Sequence, residues 1–311
     1  RARYAGARSA RSGEAGDGRN ARARVMGARR YALAMSLKQV ARDTLALLEV
    51  GRYEAPSGAT VSIADAQRAA VAGTRLFTPD QLAALELEAF GEGSPAIHVT
   101  DETTQRALRR LHAEEGVPDA LALNFASARN HGGGFLNGAK AQEEDLCRCS
   151  GLFPTLLVEE VQPYYRANRA QESLLYTDHM IYSPRVPWFR VKGRGELLEA
   201  PYVASVLTAP APNGGPLLAR DPDAGPSILA TFRRRWGHVL SLAARHRHRV
   251  LVLGAWGCGA FGNDPRDSAL TLRGVLAEDR FAGAFDRIVF AIPTRGKRSA
   301  ANHGVFADVF S

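Results

Sequence analysis

Apolar residues follow two regimes along this chain. From Ser36 to Val50 they recur at helical spacing, with Leu37, Val40, Ala41, Leu45 and Leu48 on one face. That pattern predicts an amphipathic helix capped by Ser36 and ended by Gly51. Tyr53 to Ile63, interrupted by Pro56-Ser57-Gly58, reads as a short hairpin, and two further helices are expected near 65–73 and 79–90. From about residue 94 the pattern changes to short apolar runs of strand length: Ala96–Val99, Ala120–Ala126, 180–190, 202–208, Val250–Leu253 and Ile288–Ile292. Helical patterns separate them, from the Asp101-Glu102-Thr103-Thr104 cap to about 114, then 139–149, 153–167, 226–246 and 266–277. Residues 209–226 hold five prolines and read as a long loop. Strands alternating with helices imply a layered α/β fold with helices on both sheet faces.

Composition refines this picture in three places. The 311 residues are 45% hydrophobic, enough for a large core, and no run of about 18 apolar residues predicts a membrane span. The net charge of +8 is lopsided: residues 1–30 hold nine arginines against Glu14 and Asp17, so +7 of it lies there. Residues 1–34 are therefore read as a disordered Arg-rich tail, residues 35–93 as a mostly helical extension, and residues 94–311 as the functional core. The tail is open to three readings: a nucleic-acid-binding arm, an Arg-rich targeting peptide, or sequence upstream of a true start at Met26 or Met35. Three cysteines, Cys147, Cys149 and Cys258, make no disulfide framework and point to a reducing, cytoplasmic setting. Cys147 and Cys149 point about 200° apart on a helix, which makes a poor metal clamp. Cys258 is read as a small residue permitting close backbone approach rather than as a nucleophile.

The candidate chemistry sits after two strands. Gly132-Gly133-Gly134 is followed, after seven intervening residues, by Gln142-Glu143-Glu144, and a second cluster reads Gly257-Cys258-Gly259-Ala260-Phe261-Gly262-Asn263. Gly-rich turns that open helices present unpaired N–H groups and the positive end of the macrodipole, so two on one sheet edge suit a diphosphate clamped from both sides. Neither loop continues as Gly-Lys-Ser/Thr, and neither reads as a dinucleotide fingerprint, which disfavours nucleotide triphosphate hydrolysis and hydride transfer. Glu143 and Glu144 diverge by about 100° on a helix, so their roles differ. One suits a bond being broken, the other a hydroxyl or backbone group; alternatively the pair is a solvated face with Glu144 bonded to Arg148. Phe261 is placed either on a ligand ring or in the core. His131 reads as a spacer or cap beside the glycines, and His246-x-His248 and Arg233-Arg234-Arg235 read as solvated.

Together, Asn124-Phe125-Ala126-Ser127-Ala128-Arg129-Asn130, the Gly132–Gly134 run, Gln142-Glu143-Glu144 and Gly254–Asn263 resemble microbial-type poly(ADP-ribose) glycohydrolases, a macrodomain family; the likeness includes Tyr176–Pro184. The resemblance runs from about Ser36 to the C-terminus and implies a three-layer α/β/α macrodomain with a mixed central sheet and an N-terminal helical extension. It implies hydrolysis of ribose–ribose O-glycosidic bonds in poly(ADP-ribose), releasing ADP-ribose, with a single Glu as acid and base and with neither metal nor cofactor. By the same resemblance Glu144 matches the catalytic acid and Glu143 the residue holding ribose hydroxyls. Asn124 and Asn130 fall at the distal ribose, Phe261 packs on it, and Gly132, Gly133, Gly134, Gln142, Gly257, Cys258, Gly259 and Ala260 belong to the substrate loops. Asp101 and Thr103 lie where macrodomains read adenine. His131 stands where proline is expected before the glycines. The partners implied are poly(ADP-ribose), ADP-ribosylated proteins and ADP-ribose as product, with no membrane and a monomeric chain. Two other functions share such a pocket: a reader that binds ADP-ribose without cleaving it, and a hydrolase of mono-ADP-ribose on protein or nucleic acid.

Overall fold

The structure, a computed structural model, describes residues 35–311. The expectations for residues 1–34 lie outside the described residues. Helix α1 (Leu37–Val50) starts where Ser36 accepts the Gln39 N–H at 3.1 Å and stops at left-handed Gly51. Strands β1 (Arg52–Glu54) and β2 (Thr60–Ser62) form the expected antiparallel hairpin. Helix α2 (Ala64–Gly73) leads to a three-residue strand, β3 (Arg75–Phe77), that the sequence reading lacks. Helix α3 spans only Pro79–Ala83, closed by a Thr78/Gln81 capping box, rather than 79–90. Leu85 and Leu87 both pack on the main core, and positions two apart point to opposite sides of a helix, so the segment runs irregularly.

The remaining elements are β4 (Ala96–Thr100), α4 (Thr104–Ala113), β5 (Leu121–Phe125), α5 (Gln142–Cys149), α6 (Leu152–Thr155), α7 (Gln162–Ala170), β6 (Met180–Trp188), β7 (Tyr202–Ala209), α8 (Gly214–Arg220), α9 (Gly225–Arg245), β8 (Val250–Leu253), α10 (Pro265–Leu276), β9 (Arg287–Ala291) and α11 (Lys297–Val309). The helix expected over 153–167 is split, because Pro163 starts a new helix in the first turn of α7. The proline-rich 209–226 stretch is not all loop: α8 lies within it, and the Gly215 N–H donates to the Phe261 carbonyl at 2.8 Å, bracing the second Gly-rich loop.

Among the described residues, β3-β6-β7-β5-β8-β9-β4 form one seven-stranded sheet. It is mixed: β7 through β4 pair in parallel, while β3 and β6 run antiparallel at one edge. Alternation sends the strand side chains into two cores. Leu121, Leu123, Leu251, Leu253, Ile288 and Phe290 pack with the helices α9, α10 and α11; Ala122, Val252 and Val289 pack with α4, α5, α6 and α7. This is the three-layer α/β/α arrangement the sequence implied. Parallel β5 and β8 are neighbours, so the loops leaving their carboxyl ends lie side by side, where ligands bind in such sheets. Among the described residues no helix is long and apolar enough to cross a membrane.

In the two stretches read as solvated, Arg233 and Arg234 are exposed, but Arg235 and His248 are buried. Arg235 is fully enclosed: its Nε meets Asp178 at 2.7 Å, and its guanidinium also donates to the carbonyls of Pro210, Leu175 and Tyr176. His248 bonds the Tyr182 hydroxyl at 2.8 Å, and His246 stacks on the Tyr182 ring, with burial holding the His246 pKa down at about 4. Charge alone mispredicts these residues because each finds a buried partner far away in sequence.

Candidate active site

The first turn of α5 carries Glu143, Glu144 and Asp145, where the positive end of the helix favours carboxylates. Gln142 clips this turn to the end of β5: its Oε1 accepts the Phe125 N–H at 2.9 Å, and its Nε2 donates to the Leu123 carbonyl and the Thr104 hydroxyl. The two glutamates diverge, as neighbours on a helix must. Glu143 turns inward and is satisfied at both oxygens, by Asn124 Nδ2 at 3.1 Å and by the Ser127 N–H at 2.8 Å. Asn124 is itself buried and also donates to the Thr208 hydroxyl. It therefore meets Glu143 directly. Burial pushes the Glu143 pKa up to about 8, against the two hydrogen bonds and with a further push from Glu144.

Glu144 is held differently. Its Oε1 accepts the Gly134 N–H at 2.8 Å, while its buried Oε2 has no hydrogen-bond partner among the described residues. Neither oxygen bonds Arg148, which pairs with Asp145 instead, so the solvated-face alternative does not hold. Gly132 and Gly133 have φ of +60° and +58°, and a Cβ on Gly133 would fall on the Glu144 carboxylate. The triple glycine is thus shaped to admit the acid. Two of the three amides expected to cradle phosphate are already engaged: the Gly133 N–H goes to the Asn130 carbonyl and the Gly134 N–H to Glu144.

The second loop keeps its amides open. Gly257, at φ +76°, lets the turn close against Asn263, whose Nδ2 donates to the carbonyls of Gly257 and Pro212. The amides of Gly259, Ala260 and Phe261 make no hydrogen bond among the described residues. The helix that follows is not an open anion site, because Asp264 accepts its first N–H groups from Arg266 and Asp267. Cys258 is buried and pushed up to about 12, chiefly by burial, which fits a packing role and not a nucleophile.

A cavity of about 830 Å³ joins these parts. Asn130, Gln142, Glu143, Glu144, Gly257, Gly259, Ala260, Phe261 and Thr103 line it; Gly132, Gly133, Gly134, Asn124 and Cys258 do not. Asp101 does not reach it: its carboxylate accepts the Thr294 N–H and hydroxyl at 2.7 Å, which holds its pKa below the ordinary value. Thr103 occupies the cap position of α4 without making the side-chain cap bond, and lines the cavity instead. His131 bonds Gln162 through Nε2 and packs on Tyr165. The sequence reading missed Arg129, Tyr176, Arg298 and Asn302 as lining residues. Arg298 and Asn302 sit on α11, which has no clear apolar stripe to predict it. Among the described residues no group of three His, Cys, Asp or Glu is placed to hold a metal.

The family described as "Microbial-type PARG, catalytic domain" matches residues 41–191. The crystal structure of poly(ADP-ribose) glycohydrolase (PARG) from Thermomonospora curvata is similar with a TM-score of 0.80 and 46% identity, over 88% of this chain and 98% of that one. The same enzyme bound to the inhibitor ADP-HPD gives 0.78 at the same identity and coverage. The Deinococcus radiodurans PARG in complex with ADP-ribose gives 0.71 and 45% identity, over 78% of this chain and 96% of that one. No curated protein sequence matches this chain significantly. With this identity, spread over nearly the whole length of the Thermomonospora curvata enzyme, the chain belongs to the microbial-type poly(ADP-ribose) glycohydrolase family.

Proposed function

We propose that the chain hydrolyses ribose–ribose O-glycosidic bonds in poly(ADP-ribose) and releases ADP-ribose, with Glu144 as the sole acid and base. One observation carries this reading. Glu144 lines the cavity as a buried carboxylate, pinned at one oxygen by the Gly134 amide and unpartnered at the other. A buried acceptor without a partner is costly, and a ligand that bonds it relieves the cost. In the reaction, protonated Glu144 gives its proton to the departing 2′-oxygen as the bond to the anomeric carbon breaks. An oxocarbenium-like centre develops, and the carboxylate then takes a proton from the water that attacks it. One water is added and Glu144 is restored.

Glu143, neutral below its raised pKa, adds no negative charge beside Glu144 and offers one O–H to a ribose hydroxyl. The open amides of Gly259, Ala260 and Phe261 receive the diphosphate, Phe261 covers the terminal ribose beside Asn130, and Thr103 borders the adenine. The enzyme acts as a monomer on polymer carried by proteins. Its three unpaired cysteines fit a reducing compartment, the cytoplasm.

Glu144→Gln tests the assignment. It should lower release of ADP-ribose from the polymer by at least ~10²–10⁴-fold, the scale of a lost general acid. ADP-ribose affinity, measured by calorimetry, should persist. Turnover at the wild-type rate would exclude Glu144 as the acid.

A further inference from the structure

The cavity has a wall that the proposed reaction does not yet use. Tyr176 lines it with its ring centroid 6.0 Å from that of Phe261, and the Arg129 guanidinium lies over the Tyr176 ring at 5.8 Å. Arg129 also lines the cavity; one of its terminal nitrogens donates to the Gln171 carbonyl, and its Nε has no partner among the described residues. The exposed Arg169 donates to the Arg129 carbonyl at 2.8 Å and adds a second cation beside it.

Tyr176 is fixed there at some cost. Its φ is +61°, a region that bulky residues avoid. The segment is held from every side. Buried Arg235 donates to the carbonyls of Leu175 and Tyr176; buried Asn168 accepts the Thr177 N–H at 2.8 Å; Asn213 donates its N–H to the Leu174 carbonyl at 2.8 Å. Asp178 anchors Arg235. Burial alone would raise the Asp178 carboxyl, but Arg234 and Arg235 outweigh it and hold the pKa below the ordinary value. Strain maintained by this many contacts marks a residue whose position is used.

We propose that Arg129 and Tyr176 form the subsite for the next ADP-ribose unit of the polymer, on the leaving side of the scissile bond. This rests on the reading of Glu144 and Phe261 given above. The departing 2′-oxygen belongs to an adenosine, so an adenine ring and its phosphates emerge next to the terminal ribose. A flat base stacks on an aromatic ring or a guanidinium plane, and the phosphates meet the cations of Arg129 and Arg169. Such a subsite favours polymer over a lone ADP-ribose group attached to protein.

Binding to the Glu144→Gln protein separates this subsite from catalysis. The probes are ADP-ribose and a purified fragment of two ADP-ribose units, each titrated calorimetrically. The two-unit fragment should bind about tenfold tighter, the scale of one stacked base. Adding Arg129→Gln or Tyr176→Ala should remove most of that advantage and leave ADP-ribose affinity within about twofold, whereas Tyr176→Phe, which keeps the ring, should retain it. Melting temperatures identify any variant that fails to fold, and Arg129→Gln then decides the matter alone. Equal affinity for the two probes in the parent protein would overturn the subsite, as would a parallel loss for both probes in the variants. Failure of the wild-type enzyme to release ADP-ribose from polymer would overturn the proposed reaction instead, since the binding comparison needs no cleavage.

Discussion

Two adjacent glutamates differ because their surroundings do. Glu143 is enclosed, with both oxygens bonded, and its pKa rises from the ordinary 4.5 to about 8, mainly through burial. A group whose folded pKa is raised contributes stability that is fully present below the unfolded value and is lost as pH rises to the folded one. The wild type should therefore lose stability relative to Glu143→Gln between about pH 4.5 and pH 8, and the difference should level off above that. Thermal melts of both proteins from acid to mildly alkaline pH read this directly; parallel curves would mean that Glu143 titrates as an ordinary carboxyl. At this scale the sequence singled out the glutamate pair but not how each glutamate is held. The Gln-Glu-Glu run is plain in the sequence, yet only the fold shows that Asn124 meets Glu143 and that the Gly134 amide meets Glu144. Arg235 and His248 misled for the same reason, since a charged residue reads as solvated until its distant partner is known.

Among the elements, the glycine turn and the helix after it work as a unit. The turn has two left-handed residues and no room for a Cβ beside the Glu144 carboxylate. Gly133→Ala should displace that carboxylate and cut turnover by about 10²-fold or more, as small misplacements of a catalytic group do. ADP-ribose affinity should change far less, because the open amides lie on the other loop. Kinetics and calorimetry on the same preparation separate the two effects, and equal losses would return the triple glycine to a binding role. Long, strongly patterned elements such as α1, α9 and β8 were legible from sequence because one face of each is buried. Strand β3 was too short to show a period, and α11 buries only Asn302, Phe306 and Val309. The helix expected over 79–90 stops at Ala83, and Leu85, Leu87 and Phe90 beyond it pack on a core that local sequence does not encode.

Viewed whole, the molecule joins its N-terminal extension to the catalytic sheet. Strand β3 pairs with β6 at the sheet edge, and Leu82, with Phe77, Leu85, Leu87 and Phe90, belongs to the main core. A chain beginning at residue 94 should lose these contacts and expose the β6 edge, a ready site for association between copies. It should aggregate or melt without a cooperative transition, which circular dichroism and gel filtration would show; a soluble, cooperatively folding 94–311 chain would establish the extension as dispensable.

The cleft also gathers its walls from nearly the whole length of the chain, from Leu37 to Asn302, and β4 completes its pairing only with β9. On the ribosome the β4 strand must wait for nearly two hundred further residues before its partner is made. Neither the acid turn nor the second loop encloses a ligand alone, so a partly synthesised chain has no finished cleft. Activity therefore begins only once the chain has been made through α11, and products interrupted before it are inert toward the polymer.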